Sequence, residues 1–199
     1  HWAARTNQPD AVAPLVAAKA NVNLRNPMGL TPIHLAAQAG NLAVMEALLN
    51  NGADVRLRGK AGQTAIHIAA AAGRVEVVRW LLGHGLTPDE RDLENRRPLH
   101  WAVTAKQLDT VKELLIRGAS VNIAAKDGQT ALHEAARAGN VAIGEALLDA
   151  GAAVDVLDKD RRTPLHWAAA AGNDKFGRLL LLRGARADVA DVAGVTPLH

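Results

Sequence analysis

Apolar residues recur along the chain at helical spacing, in short stretches that glycine or polar turns interrupt. Two such stretches follow one another, for example one of about nine residues that runs to Gly40 and a second at 42–50, and a similar second stretch lies at 75–82. Each is too short to form a stable helix alone. About a dozen residues with turn signals, such as NPMG at 26–29, lead to the next pair. The pattern therefore predicts pairs of short helices joined by hairpin-like loops.

The whole pattern repeats every 33 residues. Histidine stands at positions 1, 34, 67, 100, 133, 166 and 199, and only His84 lies outside this series. The repeat divides the chain into units of approximately 1–30, 31–63, 64–96, 97–129, 130–162 and 163–195, with the start of a seventh at 196–199. We expect an array truncated at both ends. Because one unit is too thin to enclose a core, neighbouring units must bury it between them.

The amino-acid composition limits the folds and functions that are possible for this chain. Apolar residues make up 49% of the chain but aromatic residues only 3%, which favours closely packed small helices over a sandwich or barrel. The chain has no cysteine, so disulfides and thiolate metal sites are excluded. No apolar run approaches the length of a membrane span, and no signal peptide is visible. We therefore expect no membrane insertion and a cytoplasmic location.

The recurrent histidine occupies a fixed place in each first helix. Thr is a good N-cap, Pro suits the first helical position, and His follows three residues after Thr, as in TPLH at 163–166. This spacing resembles a capping box with His in the place of Glu or Gln. We predict a structural role for these histidines: His34, His67, His100, His133 and His166.

The alternative is metal binding or acid–base chemistry. Stacked helices lie about 8–10 Å apart, whereas zinc holds its nitrogen ligands at about 2.0–2.1 Å. Successive histidines are therefore too far apart to share an ion. His133 and Glu134 begin an HExxH pattern, but Arg137 stands where the second histidine is required. We expect no catalytic residue, metal or cofactor.

These repeats resemble ankyrin repeats. The TPLHWAAAAG segment at 163–172 and the Gly-Ala-Asp-Val segment at 52–55 carry the resemblance, which extends over the whole chain. It implies an all-α solenoid of helix-turn-helix units. It also implies a non-enzymatic module that binds a protein partner on its concave face, which consists of loop tips and first helices. No small-molecule substrate is expected.

Positions that vary between units on that face are the candidate partner-binding residues. We expect Trp101 and Trp167 mainly to cover the interface between units, although Trp is frequent where binding energy concentrates. The candidates are Met28, Leu30, Lys60, Gln63, Glu94, Arg96, Trp101, Thr104, Lys126, Asp127, Gln129, Glu134, Arg137, Lys159, Asp160, Arg162 and Trp167.

Two other functions stay open. The repeats could target or regulate a larger enzyme, channel or secreted effector. Nucleic-acid binding is suggested by the sequence pI of about 9.6 and the positive loop residues. Acidic neighbours interrupt those positive residues and no aromatic platform accompanies them, which argues against it.

Two regions depart from the repeat. Asn95 and Lys106 replace recurrent glycines and Arg97 replaces the capping Thr, so we expect 83–106 to form the least regular interface. Pro14 and Lys19 mark a second departure in the first unit.

Overall fold

The computed structural model describes residues 1–197. Within that range the chain forms twelve α-helices, a 3₁₀ turn at Pro9–Ala11 and no β-strand. The first helices of successive units are α1 (Trp2–Arg5), α3 (Pro32–Ala39), α5 (Ala65–Ala71), α7 (Pro98–Thr104), α9 (Ala131–Ala138) and α11 (Pro164–Ala170). The second helices are α2 (Val12–Ala17), α4 (Leu42–Asn50), α6 (Val75–Gly83), α8 (Leu108–Ile116), α10 (Val141–Asp149) and α12 (Asp174–Leu182). The predicted all-α repeat is confirmed.

Residues at the two ends of each first helix determine where it begins and ends. Thr31 is extended, with φ −91° and ψ 167°, and Pro32 follows at the first helical position. Gly40 ends α3 in the left-handed conformation, with φ 84°, where a side chain would be strained. The neighbouring helix α4 then begins two residues later, so the two helices form a tight pair.

The core runs continuously through the stack. First helices pack on first helices, as α5 does on α7, and second helices pack on second helices, as α10 does on α12. One apolar cluster extends from Ala4 to Leu180. The alanine two residues after histidine is fully buried in five units, which lets the first helices approach closely. These residues are Ala36, Ala69, Ala102, Ala135 and Ala168.

The loops stack on one another through their backbones. The Gly29 N–H donates to the Asn26 carbonyl at 2.8 Å and closes the first tip. Successive tips are joined in the same way along the array, for example by the Lys126 N–H, which donates to the Glu94 carbonyl at 2.9 Å. The loops therefore form a regular edge on which side chains of neighbouring units lie side by side.

No helix within residues 1–197 is long and apolar enough to cross a membrane.

The first unit is irregular, as the sequence suggested. Its second helix α2 spans only Val12–Ala17 and is preceded by the 3₁₀ turn. Pro14 has no N–H to donate to the Asp10 carbonyl, so an α-helix cannot continue back through that turn.

The 83–106 region keeps the path of the repeat. Asn95 and Lys106 both adopt φ 59°, in the left-handed region that glycine occupies at the equivalent positions of other units. The Arg97 N–H still donates to His100 Nδ1 at 3.1 Å, but a guanidinium offers no acceptor in place of the Thr hydroxyl. Residues 83–106 therefore differ from the other units in residue type and in the backbone strain at Asn95 and Lys106, whereas their backbone follows the same path.

Replacing Lys106 with Gly should stabilise the fold. A side chain in the left-handed region costs about 1–2 kcal/mol, partly offset by the larger chain entropy of glycine in the unfolded state. We expect Lys106→Gly to raise the free energy of unfolding by about 0.5–1 kcal/mol in urea titrations. Lys106→Ala keeps the Cβ and is the control. Equal stability of the two variants would contradict the claim that a side chain at position 106 strains the backbone.

Candidate functional site

Two of the repeat histidines, His67 and His133, join the first helix of a unit to the loop at the end of that unit, which leads into the next first helix. The Thr64 N–H donates to His67 Nδ1 at 3.2 Å, and His67 Nε2 lies 3.2 Å from the Arg96 carbonyl, 29 residues ahead. His133 makes the same link to Arg162 at 3.0 Å. A ring that accepts at Nδ1 and donates at Nε2 is neutral. Each of these two imidazoles thus caps the start of its helix and holds the loop at the end of the unit.

Burial keeps these rings uncharged. Desolvation lowers the pKa of His34, His67 and His100 to about 4 and also lowers the pKa of His133. Nε2 of His34 and of His100 is buried without a hydrogen-bond partner in residues 1–197. In the same range no group of three His, Cys, Asp or Glu side chains could hold a metal ion. His199 lies outside the described residues.

A polar network joins Arg96, the last residue of the third unit, to side chains of the fourth and fifth units. The Thr104 hydroxyl, at the end of α7, donates to the Glu134 carboxylate in the first turn of α9. Arg96 Nη2 lies 3.3 Å from Glu134 Oε1 and donates to the Thr104 oxygen at 2.8 Å. Glu134 is only 7% exposed. Burial therefore raises its pKa, while the bonds from Thr104 and Arg96 act against that rise.

An open cleft surrounds this network. We call it the Glu134 cleft; its lining residues are Glu94, Arg96, Thr104, Ala125, Lys126, Asp127, Gln129, Glu134 and Arg137. Loop tips contribute one side and first helices the other. The Arg137 side chain is exposed, and Lys126 makes only a long contact, 3.7 Å, with the Glu94 carboxylate. The cleft presents both signs of charge to solvent.

Carboxylates of the loops hold two tryptophans. Trp101 Nε1 donates to Asp92 Oδ2 at 2.9 Å, and Trp167 Nε1 donates to Asp158 Oδ2 at 3.0 Å. The Arg162 guanidinium lies 4.3 Å from the ring centre of Trp167, a cation–π distance. The sequence pattern did not identify these aspartates as partners of tryptophan. The shared spacing of nine residues could have indicated them.

The predicted partner-binding residues fall into three groups by exposure. Exposed are Met28, Lys60, Glu94, Thr104, Lys126, Asp127, Arg137, Lys159 and Asp160. Half-buried are Arg96, Trp101, Gln129, Arg162 and Trp167. Buried are Leu30, Gln63 and Glu134, which offer a partner little surface. Eight of the seventeen candidates line the Glu134 cleft, and the others lie outside it.

Comparisons with known proteins agree on one family. The family model described as "Ankyrin repeats (3 copies)" matches residues 1–92, 51–125 and 99–191. Among solved structures, the chain is similar to the ankyrin repeat domain of Bcl-3, described as a unique member of the IkappaB protein family. The two are 26% identical with a TM-score of 0.85, over 100% of this chain and 91% of that chain. No curated protein matches the chain significantly.

The buried histidines predict a loss of stability in mild acid. Unfolded histidines take up protons below pH 6.5, whereas the folded ones do so only near pH 4, so acid favours the unfolded state. Each should contribute a slope of up to about 1.4 kcal/mol per pH unit within that window. Urea titrations at pH 7, 6 and 5 measure it.

Replacing one histidine measures how much that ring contributes to the pH dependence of stability. His67→Gln should lower stability at pH 7 and reduce the slope between pH 7 and 5. An unchanged slope in this variant would contradict the lowered pKa of His67.

Glu134 can be replaced without cost to the fold. Equivalent positions hold Leu35 and Ile68, and an apolar side chain there avoids the cost of desolvating a carboxylate. The Arg96 side chain is 30% exposed, so the charge that stays behind is not fully buried. We expect Glu134→Leu to leave the free energy of unfolding unchanged or to raise it by about 1 kcal/mol, since Arg96 can reach solvent. Thermal and urea unfolding measure the change. A loss above about 2 kcal/mol would make the network structural.

Proposed function

The chain belongs to the ankyrin-repeat family, and we propose that its partner protein docks in the Glu134 cleft. Ankyrin repeats are generally protein–protein interaction modules and typically have no enzymatic activity. We propose the same role for this chain: a non-enzymatic scaffold that holds a partner against its loop tips and first helices. The expected cytoplasmic location stays a prediction.

The observation that supports this most is the buried carboxylate of Glu134. Packing does not require a charge there, because the equivalent residues Leu35 and Ile68 are apolar. Burying a carboxylate costs free energy. A charged group placed at such a cost beside an open cleft supports a binding role for the cleft, in which Glu134 positions Arg96 and Thr104 rather than contacting the partner itself.

The surroundings of Glu134 suit a protein surface. Arg96 and Thr104 are already bonded to the carboxylate, so little side-chain entropy is lost when a partner covers them. Arg137 is exposed and can pair with a partner's acidic group. Trp167, held by Asp158, offers an apolar surface nearby, and its ring centre lies 5.7 Å from the Arg137 guanidinium carbon. Trp and Arg dominate many protein interfaces.

Site-specific crosslinking tests this assignment. A photoreactive side chain is placed at Thr104 or Arg137 in the cleft, or at exposed Lys112 on α8 as the control. After affinity capture from a lysate of the native cells, positions 104 and 137 should crosslink the same protein, and position 112 should not. Crosslinking only from position 112 would place the partner on the second helices and contradict the proposal.

Point variants give the matching affinity measurement. Arg137→Ala should weaken capture of the crosslinked protein by roughly two- to fivefold, as for an exposed charge pair, while Lys112→Ala should leave it unchanged. Circular dichroism checks that both variants keep their helix content.

A further inference from the structure

Three arginines form a row along the loops. Arg25, Arg58 and Arg91 are spaced by the 33-residue period, and the row ends there because the next equivalent positions are Ala124 and Leu157. Their role is visible only in the structure, because it depends on contacts between units.

The first two arginines are used to join units. Arg25 Nη1 donates to the Gly29 carbonyl of its own loop at 3.1 Å and to the Arg58 carbonyl of the next unit. Arg58 repeats both bonds, to Gly62 at 3.0 Å and to Arg91, and also pairs with Glu90 at 2.9 Å. Their guanidinium groups are therefore committed within the fold.

Arg91 makes no equivalent bond, because the side chain of Asn95 already donates to the carbonyl that Arg91 would use. By the period, Arg91 would donate to the Ala124 carbonyl, but the Asn95 Nδ2 donates there at 2.8 Å. Asn95 stands where the earlier loops have Gly29 and Gly62, which carry no competing side chain. The Arg91 side chain is exposed, and within residues 1–197 its guanidinium makes no hydrogen bond or ion pair.

This free guanidinium borders a second cleft. The residues that line it are Arg58, Gly62, Arg91, Asp92, Leu93, Asn95 and Lys126. Leu93 is 59% exposed and adds an apolar contact. The cleft shares only Lys126 with the Glu134 cleft.

The negative charges near Arg91 are engaged elsewhere. The Asp92 carboxylate is buried and accepts from Trp101 Nε1 and from two loop N–H groups. Glu90 is paired with Arg58, and Glu94 makes the long contact with Lys126. A ligand carboxylate can therefore reach Arg91 without displacing an existing bond.

We propose that Arg91 binds a carboxylate side chain of an extended acidic segment of a partner protein. A planar guanidinium suits bidentate pairing with a carboxylate, and Leu93 packs against an apolar neighbour in the segment. Single-stranded nucleic acid fits less well, because binding of its bases relies on aromatic stacking and the residues of this cleft include no aromatic side chain. This contact goes beyond the proposed role of the Glu134 cleft and does not depend on it.

A peptide titration tests the contact. The probe is a fluorescent twelve-residue peptide of alternating Glu and Ser with a central Leu, and the matched peptide has Gln in place of Glu. We expect the acidic peptide to bind and to shift the NMR signals of the Arg91 Nε–H and of the Leu93, Asn95 and Lys126 amides. Failure to bind, equal binding of the Gln peptide or shifts confined to the Glu134 cleft would overturn the proposal.

Variants assign the binding to Arg91. Arg91→Ala should weaken binding by roughly two- to fivefold. Arg178→Ala, which removes another exposed arginine from α12, should have no effect. Asn95→Gly should also weaken binding, because it releases the Ala124 carbonyl to Arg91. Equal effects of the Arg91 and Arg178 variants would show non-specific attraction. Preferential binding of labelled oligodeoxythymidine, with a steep salt dependence, would assign the cleft to nucleic acid instead.

Discussion

No unit of this chain encloses its own apolar residues, and the rest of the structure depends on that constraint. A pair of helices such as α5 and α6 has two large faces and little interior. Its buried side chains contact the pairs before and after it, within one cluster that extends from Ala4 to Leu180. Stability therefore resides mostly between units. The five fully buried alanines, each two residues after a histidine, allow the close approach on which these interfaces depend.

Close stacking also forces polar backbone groups out of water, and side chains with a fixed offset satisfy many of them. His67 and His133 bond to carbonyls 29 residues ahead, and Arg25 and Arg58 bond to carbonyls 33 residues ahead. The arginine bonds fix the register of one unit against the next. The histidine bonds hold each loop against the first helix of its own unit. An arginine that makes no such bond between units is free to bind another molecule. Arg91 is such a residue, because Asn95 occupies the Ala124 carbonyl.

Much of the fold could be predicted because its causes are local. The predicted second helix at 42–50 coincides with α4, and the one predicted at 75–82 ends a residue later, at Gly83. Caps and glycine stops lie within a few residues of the helices they control. The sites were less predictable, because they depend on contacts between positions about 30 residues apart. Neither the burial of Glu134 under Arg96 nor the capture of the Ala124 carbonyl by Asn95 follows from local pattern.

The most direct test of this account is the folding of a single unit. A peptide of residues 97–129, studied by circular dichroism and thermal unfolding beside the whole chain, contains both helices of one unit but neither neighbour. We predict little helix and no cooperative transition for the peptide, and a cooperative transition for the whole chain. Native helix content with cooperative unfolding in the isolated peptide would contradict the claim that the interfaces hold the fold together.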